Sequence, residues 1–130
     1  MAAVTTHDLP TVAGLWDGSD LEMLRQLDLK PNEEGTAKIR ERLAQAGGLD
    51  ENADTAEAVV AAYSLLARAP SVLLTATLDD AVAEAQRPNV PGADGKRPNW
   101  SIALPYPLED IETHPVAQRV ASVLQEAVGD

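Results

Sequence analysis

The sequence predicts a mostly α-helical protein with one or two short strands, and three observations carry that expectation. Helix-capping residues and helix-stopping Gly or Pro recur through the first 70 positions at helical spacing. One run alone, Ser71-Val-Leu-Leu-Thr-Ala-Thr77, combines β-branched and apolar residues in the manner of a strand. Near the C-terminus Val116, Val120, Val123, Leu124 and Ala127 line one face of a helix.

Taken in order, Pro10 follows the acidic Asp8 and Leu9 and suits a first helical turn, so Thr11–Trp16 is expected as one or two turns ending near Gly18. Ser19-Asp-Leu-Glu22 reads as a capping box, in which the Ser19 oxygen and the Glu22 carboxylate each satisfy an otherwise unpaired N–H. Leu21, Leu24 and Leu27 share a face behind it, until Pro31 and Asn32 break the pattern. A third helix is expected from about Glu34 to Ala46, with Gly47-Gly48 as its stop. Asp54 or Thr55 caps the strongest helix, whose Val59, Tyr63 and Leu66 fall at i, i+4 and i+7 before Pro70 ends it. Ser71–Thr77 is expected as a strand buried on both faces, although one strand cannot make a sheet. Leu78 to about Ala85 then forms a short helix, opened by Asp79-Asp80 at the positive end of its dipole.

Between Arg87 and Pro107 the chain changes character, with five of the nine prolines, two of the eight glycines, and both Asn89 and Asn99. Residues 87–107 are expected to be an ordered loop rather than a linker, because Trp100, Ile102, Leu104 and Tyr106 are too apolar to be left in water. Pro107–Glu112 turns once, and the last helix opens at Thr113-His114-Pro115.

Composition excludes partners more readily than it names an activity. Ten Lys+Arg against 21 Asp+Glu give a formal charge of −11, and no basic residue lies between Leu43 and Ala67. Nucleic-acid binding needs clustered Lys and Arg, so it is not expected. The lack of cysteine removes disulfides, thiolate zinc sites and cysteine nucleophiles, and fits a reducing cytoplasm. The N-terminal residues carry no basic or apolar targeting region, and the longest apolar runs fall far below the roughly 18 residues of a membrane span. The expectation is a cytoplasmic single unit, residues 1–130, without membrane contact.

Few residue patterns offer chemistry. No His-x-x-His or Glu-x-x-His spacing exists for a metal, the two histidines stand more than a hundred residues apart, and no Gly-x-Ser-x-Gly elbow or phosphate-binding glycine loop occurs. Neither a metal nor a cofactor is expected. The pairs Glu33-Glu34, Asp79-Asp80 and Glu109-Asp110 lie on predicted helix starts, where complementing the dipole accounts for them. Thr6-His7-Asp8-Leu9-Pro10-Thr11 reads either as a polar helix cap or as a site. Arg87-Pro-Asn-Val-Pro-Gly92 with Arg97-Pro-Asn-Trp100 likewise has two readings. One is a packed loop anchored by Trp100, its asparagines bonding local backbone; the other is a polyol-binding edge.

Val4-Thr-Thr-His-Asp-Leu-Pro-Thr11, Arg87-Pro-Asn-Val-Pro-Gly92 and Arg97-Pro-Asn-Trp100, in this order and joined by Ser71–Thr77 leading into Leu78-Asp-Asp80, resemble the C-terminal part of the bacterial 4-α-glucanotransferase family, the amylomaltases or disproportionating enzymes. The resemblance implies a retaining transfer of α-1,4-glucan segments between maltodextrins on a (β/α)8 barrel. A nucleophilic aspartate, an acid/base glutamate and a third aspartate serve it, and the third matches Asp8. It also implies that His7 bonds the sugar, and on the polyol-edge reading Asn89, Asn99 and Trp100 are further candidate substrate contacts.

Such a barrel takes about 250 residues and eight strands. This chain offers Ser71–Thr77 and a stub at Ala3–Thr5, so the resemblance implies the last two β/α units, without the nucleophile and acid/base. The expected partners are a maltodextrin, in the intact enzyme, and the remaining part of the barrel; the chain alone is expected to be inactive. Alternatives from other classes are an acidic helical interaction domain without catalysis and, with only four aromatic residues, a small carbohydrate-binding module.

Overall fold

Helix α4 (Thr55–Leu66) is the element on which the others pack, and its sequence explains why. Asp54 caps it by accepting a hydrogen bond from the Glu57 N–H at 2.8 Å. Ala58 and Ala62 keep its buried face narrow, while Val59 and Tyr63 fill the space between neighbours. In this computed structural model, which describes residues 1–93 and 95–129, the preceding elements are β1 (Ala2–Ala3), α1 (Val12–Asp17), α2 (Ser19–Gln26) and α3 (Glu33–Gly47). After α4 come β2 (Leu74–Thr75), α5 (Leu78–Ala81), α6 (Leu108–Ile111) and α7 (Pro115–Val128).

The core joins Val12 and Trp16 of α1, four residues of α4, and Val116 and Val120 of α7. Trp16 is buried because its indole N–H finds the Ala53 carbonyl at 2.6 Å and the Arg40 guanidinium covers its ring at 4.3 Å. Helix α1 reaches the loop after α5 so closely that a Cβ at Gly14 would lie 2.3 Å from the Ala85 carbonyl oxygen, which only glycine permits. On the outer side, Arg119 of α7 grips Glu57 of α4 with two bonds, at 2.8 and 3.1 Å.

Three expectations are corrected here. Ser19 does not form a capping box: α2 begins after Gly18, in the left-handed conformation at φ 83°, and the Ser19 N–H donates to Asp17 Oδ1 instead. The helix expected from Leu78 to Ala85 stops at Ala81, because Ala83 takes a positive φ of 52°. The strand Ser71–Thr77 shrinks to Leu74–Thr75 and is not buried on both faces, since Val72 is 100% and Leu73 54% exposed. The physical reason is the number of neighbours. Among the described residues its one partner is β1, in parallel with Ala2 opposite Leu74 and Ala3 opposite Thr75, and a parallel strand is buried only when both its edges and faces are covered.

Parallel pairing needs a long crossover, and α1 to α4 supply it. The effect is to set the residues that follow β1 beside those that follow β2. Among the described residues, no helix is long and apolar enough to cross a membrane.

Replacing the fully buried Val59 with Ala leaves a cavity between α1, α4 and α7, and is expected to cost about 2 kcal/mol in urea unfolding. Ile39→Ala, at a position 55% exposed, should change the same midpoint by less than about 0.5 kcal/mol. The Arg119 guanidinium, through hydrogen bonds and charge, holds the Glu57 carboxyl below its ordinary value of 4.5. Its stabilisation is therefore present above pH 4.5 and lost as pH falls through the lowered value. Both side chains are about half exposed, so Glu57→Gln should cost no more than about 0.5 kcal/mol at neutral pH, a difference that vanishes on the acid limb of a melting-temperature series.

Candidate functional site

The site is built on the turn that leaves β1. Val4 packs against the core, the Leu9 N–H closes the turn on the Thr6 carbonyl at 3.1 Å, and Thr11 caps α1 by accepting from the Gly14 N–H. Between these fixed points His7 and Asp8 are exposed. His7 Nε2 lies 3.3 Å from Asp8 Oδ2, and Asn89 Nδ2 donates to the other carboxylate oxygen, Oδ1, at 2.6 Å. The Trp100 indole stands over His7 with ring centroids 5.3 Å apart and planes tilted by 51°. Four of the five residues singled out from the sequence thus meet on one open surface.

Asn99 does not join them. Its side chain accepts from the Val90 N–H at 3.0 Å and donates to the Val90 carbonyl at 3.3 Å, a reciprocal clamp that closes the 87–107 loop on itself. For Asn99 the packed-loop reading therefore describes the geometry, whereas for Trp100 it does not. Trp100 is 64% exposed, with its ring toward His7; its backbone is held by a bond to the Pro88 carbonyl, at a positive φ of 60°. A bulky residue in the left-handed region is strained, and here that conformation turns the ring toward His7.

Arg87 holds the turn from behind. Its Nη1 donates to the Asp8 carbonyl at 3.1 Å, and its own carbonyl accepts from Arg97 at 2.7 Å. The guanidinium is buried against Asp20, with Nη2 donating to Oδ2 at 3.3 Å and Nε 3.0 Å from Oδ1 in a contact too poorly angled for a hydrogen bond. Burial pushes the Asp20 carboxyl above its ordinary range, and the charges of Arg87 and Arg97 oppose that rise. Asp20 had only a place within an apparent capping box in the sequence; nothing local marks it as the counter-ion of a residue 67 positions away.

Deeper still, Asp80 is fully buried and accepts three bonds: from the Thr5 hydroxyl at 2.6 Å, the Tyr63 hydroxyl at 2.8 Å and the Val12 N–H at 2.9 Å. The expectation that Asp79-Asp80 merely complements a helix dipole is thus corrected for Asp80, whose carboxylate points into the protein. Burial first, and then the adjacent Asp80 charge, push the Tyr63 hydroxyl far above its usual range, so it remains a proton donor.

Chemically, the surface cluster offers an exposed carboxylate with one oxygen fixed, a neighbouring imidazole and a flat apolar ring, a set that suits vicinal hydroxyls above a pyranose face. Among the described residues no group of three or more His, Asp or Glu is placed to hold a metal ion. A separate cleft of about 440 Å³, lined by Val4, Leu9, Leu15, Ile39, Leu43 and Leu65 among others, is apolar and includes none of the four clustered side chains.

Helices joined by a parallel strand pair, with a carboxylate on the turn that follows the first strand, define an α/β type of architecture. The chain belongs to the 4-alpha-glucanotransferase family, whose sequence model matches residues 1–109. It is 37% identical, over 145 aligned positions and 98% of its length, to the 4-alpha-glucanotransferases of Mycobacterium tuberculosis and Mycobacterium bovis. It spans about a fifth of the length of these relatives, 20%. Its structure matches the crystal structure of amylomaltase from Corynebacterium glutamicum with a TM-score of 0.76 and 27% identity, over 95% of this chain and 21% of that one.

Arg87→Met leaves Asp20 buried without a partner and is expected to cost about 3 kcal/mol at neutral pH. A carboxyl raised above its ordinary 3.8 contributes stability that is full below that value and lost as pH rises through the raised one. The variant should therefore recover toward wild type as pH is lowered in thermal melts, and Asp20→Asn on the same background should abolish that recovery.

Proposed function

We propose that this chain is the portion of a 4-α-glucanotransferase that carries the third active-site carboxylate, Asp8, and that its strands are the last two of a (β/α)8 barrel. The observation that carries this reading is the placement of Asp8 on the turn leaving β1, one oxygen bound by Asn89 at 2.6 Å and the other beside His7. Barrel enzymes carry their chemistry at the C-terminal ends of strands, which is where this turn lies relative to β1.

In a retaining transfer the sugar passes through an oxocarbenium-like state, and hydrogen bonds to its hydroxyls strengthen as charge develops. Asp8 accepts from hydroxyls of the distorted sugar, His7 supplies a second polar contact, and Trp100 offers its exposed face to a neighbouring glucose. Asn89 keeps the Asp8 carboxylate from rotating away, so its orientation is set before substrate arrives. The nucleophile and the acid/base, which retention requires about 5–5.5 Å apart, come from segments outside residues 1–130. The intact enzyme moves α-1,4-glucan segments between maltodextrins in the cytoplasm; the chain alone does not turn over. Its partner is the rest of the barrel, which would cover the exposed Val72 and Leu73 and pair with the open edges of β1 and β2.

Incubating the 130-residue chain with maltotriose should give no longer or shorter maltodextrins by chromatography, and robust disproportionation would refute the reading that the other two carboxyl groups lie elsewhere. In the intact enzyme Asp8→Asn should lower kcat by on the order of 10²–10³, and an unchanged rate would remove Asp8 from the reaction.

A further inference from the structure

The buried Asp80 lies outside everything assigned so far, and its three donors have a common feature. Thr5 stands immediately before the segment Thr6–Thr11, whose first four residues are exposed, and Val12 immediately after it, so one buried carboxylate binds both flanks: Thr5 at Oδ2 and Val12 at Oδ1. Tyr63 donates to Oδ2 at 2.8 Å from the side of α4, and burial and the adjacent charge favour its protonated form. The Asp80 N–H in turn donates to the Thr77 hydroxyl at 3.2 Å, which ties the carboxylate to the end of β2.

The rest of the turn is held from the same stretch of chain, by Arg87 at the Asp8 carbonyl and Asn89 at the Asp8 carboxylate. Residues 77–89, after β2, are thus the template for residues 5–12, after β1. We propose that Asp80 is a positioning residue: by pinning Thr5 and Val12 to one buried carboxylate it sets the spacing of the His7-Asp8 turn, and so where Asp8 stands against Asn89 and His7 against Trp100. Its functional meaning rests on the reading of Asp8 as a sugar-contacting carboxylate, but the positioning itself needs no sugar.

The test is therefore made without one, by NMR of the 130-residue chain. Three signals are followed: the Asn89 side-chain amide, bonded to Asp8; the His7 ring protons, shifted by the Trp100 ring; and the Trp16 indole N–H, bonded to the Ala53 carbonyl in the core. Thr5→Val, which keeps the shape and removes the hydroxyl, should move the Asn89 and His7 signals to the positions of free side chains and leave Trp16 in place. Thr5→Ser should restore them, and Tyr63→Phe should shift them in the same direction as Thr5→Val. Asn89 and His7 signals unmoved in Thr5→Val and Tyr63→Phe would overturn the proposal. So would simultaneous loss of the Trp16 signal, because Asp80 would then hold the core as a whole and not the turn. Titrating the wild-type chain with maltoheptaose is a separate arm: unmoved His7 and Trp100 signals there count against sugar contact and leave the positioning result standing.

Discussion

A carboxylate taken out of water is costly unless several donors replace its hydration, and that constraint organises this molecule around Asp80. The donors found are a strand-end hydroxyl, a helix-start N–H and a phenol from the central helix, so satisfying one side chain fixes β1, α1 and α4 relative to α5. An apolar residue in its place would pack against the same elements without specifying their distances. Hydrogen bonds do specify them, since each fails within a few tenths of an ångström of stretch or a modest rotation. The short α5 exists largely to present this group: four residues long, with Thr77 as its cap, it carries one carboxylate inward and leaves Asp79 to face the dipole.

A second buried charge repeats the arrangement one layer nearer the surface. Arg87 and Asp20 neutralise each other inside the protein, and the donors Arg87 has left over go to the backbone of Asp8. Charges that share the cost of burial in this way also transmit position, from α2 through the guanidinium to the turn. The exposed layer above them, Asp8 with Asn89 and His7 with Trp100, needs little stabilisation of its own. An exposed carboxylate held by one side-chain bond would otherwise sample several rotamers; with its backbone clamped at the carbonyl, it has far less freedom to lose when a ligand arrives.

How much of this was legible in the sequence follows from how local each cause is. Helices α3, α4 and α7 have their caps and apolar spacing within a few residues of one another; Asp54 and His114 cap α4 and α7 where the sequence places the helix starts, and Asn32, read there only as a break, caps α3. The sequence motifs likewise point to His7, Asp8, Asn89 and Trp100 as a group, but they include Asn99, whose side chain is spent on the Val90 backbone. Asp20 and Asp80 were not legible, because each looks like a first-turn acid of a helix and its destination depends on partners 67 and 75 positions away. The strand was misjudged for the complementary reason. Leu74 and its neighbours have the composition of a strand covered on both sides, and among the described residues they pair with β1 alone.

That mismatch separates two halves of the molecule. On the helical side α1, α4 and α7 close over Tyr63 and Val59, and an apolar cleft of about 440 Å³ lies open between α1, α3 and α4. On the strand side, Val72 lies wholly in water although its residue type belongs under a neighbouring strand. The bonds that hold the Asp8 turn come from residues 77–89, after β2: Arg87 at its carbonyl, Asn89 at its carboxylate, and Asp80 at Thr5 and Val12 on either side. Under the proposed barrel reading, the third carboxylate is therefore placed by its own segment of chain. On that reading the nucleophile and acid/base would come with the other strands, which would not have to build the turn that holds Asp8.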